Sequence, residues 1–354
     1  MRETIIHNAQ LLYFAGQILS RMAAIRVERT AMRKYEPEIL MGLILSLALL
    51  LVHPPGGAAA AVPNVPPAVL ASAAERAVSF DRFHTVRVAQ GEEVQLLTMR
   101  EYLIGVVMSE MPMSFEPEAL RAQAIASRTY ALHCRKHAGA DVCDDGNCCQ
   151  CRADEETLRI RFGAEYDVFQ QKAARVVDST DGEVLTFGGE LIDATFFACS
   201  GGRTEDASEV WGAGQPYLRS VESPGEESAR SYHSRAEFSP GKFAEIVRSL
   251  APEAVLEGDP AAWIGAEDRT AGDGVRTLEL GGAALTGSQL RAAFGLASTR
   301  FTLQWDGSSF CFEVYGAGHR VGLSQCGAQA MARNGATAEQ ILKTYYTGVE
   351  ISHR

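Results

Sequence analysis

Apolar and polar positions change period several times along the chain, and each change predicts an element. In "VRVAQGEEVQLLT" (Val86 to Thr98) they alternate on both sides of a glycine, which predicts a β-hairpin. From Thr98 the period becomes helical. Leu103, Val106 and Val107 recur on one face, and Thr98-Met99-Arg100-Glu101 has the Thr-x-x-Glu form of a capping box, so a helix is predicted from about Met99 to Met111, stopped by Pro112. A second, Ala-rich helix opens at Glu116-Pro117-Glu118 and runs to about His133, with proline in its tolerated first turn and acids at the positive end of the dipole.

Further along, "GEVLTFGGELIDATFFACSGG" holds two apolar runs around Gly188-Gly189 and reads as a hairpin with a two-residue turn. "FTLQWDGSSFCFEVYG" predicts another around Asp306-Gly307. Thr337-Ala338-Glu339-Gln340 is a second capping box, opening a last helix with Ile341, Leu342 and Tyr345 on its apolar face. Residues 240–300 mix helical spacing (Phe243, Ile246, Val247, Leu250) with Gly-rich turns and read as a subdomain or a long excursion. There is no internal repeat. Strands and helices come in blocks instead of strict alternation, so the expected class is α+β, mixed helices and antiparallel hairpins.

The first 75 residues differ from the rest. Ile39 to Val52 is a 14-residue run without a charge, preceded by Arg21, Arg26, Arg29, Arg33 and Lys34 and followed by a Pro/Gly/Ala stretch. This is the pattern of an export signal, and its length favours a cleaved signal peptide with an Ala-x-Ala site near Ala58 to Ala60 over a short uncleaved anchor. The expected organisation is a cytoplasmic segment 1–38, with Met32 a second candidate start, a signal or anchor 39–52, a linker 53–75 and an extracytoplasmic domain 76–354.

The whole chain has 354 residues, 46% of them hydrophobic and 22% charged, enough for one large or two smaller domains with a real core. A net charge of -11 without a basic run interleaved with aromatics excludes nucleic acid as the expected partner, and an extended neutral or polar ligand suits the balance better. Eight cysteines are unusual for an exported chain unless oxidised or metal-bound, and five of them crowd between Cys134 and Cys151. Thiols and imidazoles at these short loop spacings are what a closed tetrahedral zinc site uses, while an oxidising exterior favours disulfides.

One residue breaks the helical pattern. On a helix from Met99 to Met111, Glu110 follows Val106 and Val107 on the inward stripe. A carboxyl taken from water holds its proton at higher pH, which is the state a general acid needs; alternatively, at the last turn the side chain swings to solvent.

The stretch "IGVVMSEMPMSFEPEALRAQAIASRTYAL" resembles the signature of the stage II sporulation protein D family, exported proteins of endospore formers that degrade septal peptidoglycan during engulfment. The likeness continues in "ADVCDDGNCCQ", in "DATFFACSGGRTEDASEVWGAGQPYLRSVESPGE" and in "GAGHRVGLSQCGAQAMARNGATAEQILKTYYTGVEI", in order from about residue 80 to the end. The resemblance implies a lytic transglycosylase that cuts between N-acetylmuramic acid and N-acetylglucosamine, with Glu110 as the catalytic residue and a glycan-binding groove beside it. It implies that Ser200, Thr204, Tyr217, His319, Ser324 and Gln325 line that groove. Arg128, on the helix after Glu110, either faces the groove or pairs with an acid. The family usually has Gly where Arg320 stands and Tyr where Cys326 stands. Trp211 and Tyr217 stack on sugar rings or belong to the core.

The resemblance also implies a structural zinc in a small stapled loop. His137, Cys143 and Cys149 fall at the family's spacings, and Cys148 stands where the family has a His, so the expected ligands are His137, Cys143, Cys148 and Cys149, with Cys134 and Cys151 as competitors. Implied partners are peptidoglycan glycan strands, the stage II sporulation protein P amidase, the stage II sporulation protein M membrane scaffold, and the mother-cell septal membrane through the N-terminal segment. Relatives labelled amidase enhancers offer a second reading, a module that holds glycan without cutting it. No second carboxylate stands at fixed spacing from Glu110, although Asp193, Glu205 and Asp206 can approach it in space.

Overall fold

A reciprocal cap begins the first long helix. The Thr98 hydroxyl accepts the Glu101 N–H at 3.2 Å and the Glu101 carboxylate accepts the Thr98 N–H at 2.8 Å, as the Thr-x-x-Glu spacing predicts. In the computed structural model, which describes residues 79–354, a short helix α1 (Phe80–Phe83) precedes the hairpin β1 (Thr85–Gln90) and β2 (Glu93–Thr98), and the capped helix α2 spans Met99–Glu110. Helix α3 (Pro117–His133) follows with proline in its first turn. The export signal or anchor, the linker and the second candidate start lie outside the described residues. No helix among the described residues is long and apolar enough to cross a membrane.

After β3 (Val142–Cys143) come two helices, α4 (Glu155–Phe162) and α5 (Tyr166–Asp178), and then the hairpin β4 (Glu183–Phe187) and β5 (Glu190–Leu191). Its turn is Gly188-Gly189, both in the left-handed region at φ 60° and 87°, which a two-residue hairpin turn requires and glycine supplies without strain. Strand β6 (Phe196–Phe197), helix α6 (Ala207–Trp211), strand β7 (His233–Phe238) and helix α7 (Pro240–Leu250) lead to the antiparallel set β8 (Ile264–Arg269), β9 (Val275–Leu280) and β10 (Ala283–Thr286). Helix α8 (Gly287–Phe294), the hairpin β11 (Phe301–Trp305) and β12 (Phe310–Tyr315), strand β13 (Leu323–Ser324), helices α9 (Gln325–Arg333) and α10 (Ala338–Tyr345) and strand β14 (Glu350–His353) complete the chain.

The class is α+β. Most pairings are antiparallel, but β1 with β3 and β6 with β13 are parallel. Those two tie chain segments that no local turn joins.

Apolar burial falls into two cores. The first packs α2, α3, α5, α9 and α10 around β4, with Tyr102, Leu103, Val106, Val107, Leu120, Val177, Leu185, Ile341 and Leu342 fully buried. The second gathers Phe243, Val247, Leu280, Leu290, Phe301, Phe310 and Phe312. Residues 240–300 supply much of it, including the sheet β10-β9-β8, and β7, β11 and β12 on either side form a separate three-stranded sheet that contributes the rest.

Arg128 lies inside the first core with no exposed surface. Its guanidinium pairs with Asp81 (Nε to Oδ1 2.8 Å), donates to the Glu183 carbonyl at 2.9 Å and reaches Thr180 Oγ1 at 3.3 Å. This joins α1, α3 and the start of β4. An ion pair sealed from water is costly to break from one side, because the remaining charge is stranded. Arg128→Met is therefore expected to lower unfolding stability by about 3–5 kcal/mol, read from the urea midpoint, and the double change with Asp81→Asn to recover part of it.

Candidate functional site

Glu110 is the last residue of α2. The helix period carried by the fully buried Val106 and Val107 aims it inward, and it is half-buried. The backbone N–H of Cys151 donates to its Oε1 at 2.6 Å, and Gln325 Nε2, at the start of α9, donates to Oε2 at 3.4 Å. Burial raises the Glu110 carboxyl above its ordinary value, and these two hydrogen bonds offset part of the rise. No ion pair among the described residues holds it ionised.

The carboxyl lines a cleft of about 730 Å³ together with Lys136, Asp193, Trp211, Arg291 and His319. Trp211 ends α6 and keeps 47% of its surface exposed, so its indole is available to a ligand. His319 packs against Trp211 and Phe197, ring centres 5.2 and 5.6 Å away, and its Nδ1 accepts the Val321 N–H at 3.1 Å. Burial pulls its pKa down to about 4, so near neutral pH the imidazole is uncharged with its proton on Nε2. Burial also pushes the Asp193 carboxyl up, against the pull of His133 and Lys136. Lys136 Nζ donates to the Cys148 carbonyl at 2.8 Å and bonds the Tyr130 hydroxyl at 2.9 Å, bracing the cleft wall.

Several residues expected at a groove stand elsewhere. Arg128 is locked in the core by Asp81, as described above, and has no surface to offer a ligand. Thr204 is fully buried; its hydroxyl accepts the Val221 N–H at 2.8 Å and braces a crossing of two loops. Tyr217 is buried against Phe187, and its hydroxyl accepts the Asp193 N–H at 3.1 Å, so it positions a cleft residue from behind. Ser200 and Ser324 are fully buried too, and both hydroxyls donate to Glu226, at 2.9 and 2.6 Å. Of the three carboxylates able to approach Glu110, only Asp193 lines the same cleft. Glu205 is buried against Arg320, Nη1 to Oε1 3.3 Å. Asp206 caps α6 and pairs with Arg219 at 2.9 Å.

Glu226 has no place in the sequence expectations, yet it organises both motif loops. Its Oε2 accepts from the Cys199 thiol, the Ser200 N–H and hydroxyl and the Gly201 N–H, and its Oε1 from the Ser223 and Ser324 hydroxyls. Six donors replace a counter-cation. Ser324 is also the N-cap of α9, so Glu226 fixes the turn that presents Gln325 to Glu110. Arg320 does a similar task from the other side. Its backbone sits at φ 65°, a conformation natural to glycine, and its buried guanidinium donates to the carbonyls of Ser200 (3.0 Å), Arg203 (2.9 Å) and Gly272.

The ligand atoms of His137, Cys143, Cys148 and Cys149 all lie within 4.8 Å of one another. His137 Nε2 is 3.3 Å from Cys149 Sγ and 3.7 Å from Cys148 Sγ, close to the roughly 3.5 Å that nitrogen and sulfur keep across a tetrahedral ion with bonds of about 2.1 and 2.3 Å. One imidazole and three thiols suit a soft tetrahedral metal, and these four residues can hold one. Cys134 Sγ lies outside the quartet, 3.9 Å from Cys149 Sγ. The quartet is also coupled to Glu110, because the same loop supplies Cys151 N–H and, through Ala153 N–H to Ser109 Oγ at 2.8 Å, clasps the end of α2.

Known proteins are similar to much of this chain. The family model described as Stage II sporulation protein (SpoIID) matches residues 89–187, from β1 to the end of β4. The stage II sporulation protein D of Bacillus subtilis is 35% identical over 268 residues, 74% of this chain and 76% of that protein. That of Bacillus amyloliquefaciens is 35% identical over 266 residues, 73% of this chain and 75% of its own length. An amidase enhancer of Bacillus subtilis is 26% identical over 298 residues, covering 71% of this chain and 40% of that protein. Identity at this level across three quarters of both chains means that the chain belongs to the stage II sporulation protein D family.

Proposed function

We propose that the protein is a peptidoglycan lytic transglycosylase, cutting the bond between N-acetylmuramic acid and N-acetylglucosamine in peptide-stripped glycan strands with Glu110 as the catalytic residue. The observation that carries the reading is the state of that side chain. It is a carboxyl on a cleft wall, desolvated, with one oxygen anchored by a backbone N–H and no cation to hold it ionised. Such a group keeps its proton further up the pH scale and can give it to a glycosidic oxygen. The leaving oxygen takes the Glu110 proton as the bond to C1 breaks. The carboxylate so formed then takes the proton of the muramic acid 6-hydroxyl as that oxygen closes onto C1. One carboxylate serves both steps, no water enters, and the product is a 1,6-anhydro sugar, whereas ordinary glycosidases divide the two tasks between two carboxylates.

The rest of the cleft fits a glycan. Trp211 presents an aromatic face for a sugar ring, the His319 Nε2–H and Lys136 can donate to hydroxyl and acetamido oxygens, and Asp193 can accept. The His137, Cys143, Cys148 and Cys149 site holds a structural zinc on this reading; a closed four-ligand ion leaves no position for water, and its contribution is the shape of the loop that anchors Glu110. The setting is the outer face of the mother-cell septal membrane, reached through the N-terminal segment, in septal wall degradation during engulfment. The sporulation protein P amidase would prepare the stripped strands there and the sporulation protein M scaffold would hold the assembly. The likeness to an amidase enhancer supports a second reading, a glycan-binding module that activates a partner without cutting.

Incubation of the protein with peptide-stripped strands is expected to yield 1,6-anhydro-muramyl ends by mass spectrometry. Glu110→Gln should reduce their rate of appearance by about 10²–10⁴-fold, the contribution of a general acid, while strand binding persists. Reducing ends without the anhydro ring, lost in Asp193→Asn, would instead identify a hydrolase using Asp193 as its second carboxylate, and binding without any product would favour the enhancer. For pH dependence the sign follows from the acid role: cleavage is present while Glu110 is protonated and declines as pH rises through its pKa, which burial holds above the ordinary 4.5, so the declining limb lies above that value. Loss of that limb on weakening the anchor with Gln325→Leu would be unexpected; the limb should only shift. Elemental analysis is expected to find one zinc per chain, and Cys148→Ala to reduce its occupancy and lower the Tm by about 5 °C. An undiminished zinc content in Cys148→Ala, with loss in Cys134→Ala, would move the fourth ligand to Cys134.

A further inference from the structure

Cys199 and Cys326 stand apart from the metal quartet and take no part in the reading above. Cys199 follows β6, and Cys326 is the second residue of α9. Strands β6 and β13 pair Phe196 with Leu323 and Phe197 with Ser324; beyond them Cys199 bridges Ala317, and the other strand turns into α9 at Gln325. The Cys326 N–H donates to the Ala198 carbonyl at 2.9 Å, which holds the first turn of α9 against the residue before Cys199. A backbone hydrogen bond one residue from Cys199 brings the two cysteines close enough for the roughly 4.4–6.8 Å between Cα atoms that a disulfide spans.

The two thiols are unequal. Cys199 has no exposed surface and is hydrogen-bonded to Glu226 Oε2 at 3.1 Å. Cys326 is partly exposed and borders a hollow of about 350 Å³ between α9 and the turn at Gly225 to Ala229. It sits in the first turn of a nine-residue helix, with Ser231 Oγ at 3.5 Å, both of which favour a thiolate. Contact with Cys199 lowers the Cys326 thiol, while contact with Cys326 and burial raise that of Cys199. An accessible, acidic thiol beside a buried, protonated one is the arrangement of an attacking and a resolving cysteine.

We propose that Cys199 and Cys326 form a redox pair that closes to a disulfide by exchange with a disulfide-bearing oxidant such as a thiol oxidoreductase or oxidised glutathione. The Cys326 thiolate attacks one sulfur of the oxidant; a mixed disulfide forms, the oxidant's S–S bond breaks and its other sulfur leaves as a thiolate. The Cys199 sulfur then attacks Cys326 Sγ as its proton passes to Glu226 Oε2 and on to solvent. The Cys199–Cys326 bond forms, the mixed disulfide breaks, and the oxidant departs with both electrons as a dithiol or two thiols. Glu226 Oε2 keeps the Ser200 N–H, the Ser200 hydroxyl and the Gly201 N–H when the thiol donor is lost, so its surroundings tolerate the closed state. The bond staples two chain segments separated by the whole second core.

The test equilibrates the full chain in glutathione buffers of graded oxidised-to-reduced ratio, quenches with acid, alkylates and digests with trypsin. Val176–Arg203, Val321–Arg333 and Phe301–Arg320 each contain one cysteine, respectively Cys199, Cys326 and Cys311. In oxidising buffers the first two peptides are expected as one linked species, lighter than their sum by two hydrogens and separated by reductant, while the Cys311 peptide is alkylated. The oxidised protein should melt about 10 °C higher, as a long closed loop requires. Cys199→Ser should trap glutathione on Cys326, and Cys326→Ser should leave Cys199 free of adduct. Alkylation of both cysteines at every ratio would overturn the proposal, as would an adduct on Cys199 in Cys326→Ser.

Discussion

The hydrogen bond from Cys151 N–H to Glu110 Oε1 is the contact on which the site depends. A glutamate in the last turn of a helix, one residue before the cap and two before a proline, has every opportunity to turn to solvent. It is kept on the cleft wall because the loop after α3 closes over the end of α2 from several directions. Cys151 holds the carboxylate, Ala153 holds Ser109, and Gln150 is inserted between the Tyr102 hydroxyl (3.1 Å) and the Ser127 carbonyl (3.2 Å). The loop carries the four potential metal ligands, so whatever sets its shape also sets the environment of Glu110. One backbone donor orients the carboxyl, and burial outweighs it and the Gln325 amide in raising the pKa of the group.

The same economy governs the loops facing α2. Glu226 and Arg320 are fully buried charged groups placed where two glycine-rich segments cross, and each is satisfied mainly by backbone groups and hydroxyls. In a low-dielectric interior a partly satisfied network is costly and a fully satisfied one specifies a single arrangement. Gln325 reaches Glu110 because Ser324, bound to Glu226, fixes the first turn of α9. Arg320 holds a left-handed backbone in place by bonding to three carbonyls that come from both sides of the crossing.

Local signals in the sequence specified much of this protein. The capping boxes at Thr98 and Thr337, the Gly188-Gly189 turn, the proline at the start of α3 and the inward phase of Glu110 all follow from residues within a turn or two of one another, and each appears as expected. The quartet of His137, Cys143, Cys148 and Cys149 was legible for the same reason, since a short loop brings its own donors together. Helix α5 passed unnoticed although Tyr166, Ala173, Val176 and Val177 mark its buried face. The motif loops were misleading. The resemblance implied a groove lined by Ser200, Thr204, Tyr217 and Ser324, which stand in polar, glycine-rich stretches, yet their hydroxyls are turned inward.

Which way those side chains face could not be read from spacing, because their partners are remote in the chain. Ser324 meets Glu226 from 98 residues away, Arg128 meets Asp81 from 47, and Arg320 meets the Ser200 carbonyl from 120. The sequence alone determined the capped helices, the Gly-Gly turn, the family motifs and the identity of the inward acid, since these rest on periods and offsets within single elements. The tertiary structure alone decided which polar residues are spent on satisfying buried charges and which remain at the cleft, because burying a charge obliges the nearest donors in space to turn toward it, whatever their position in the chain.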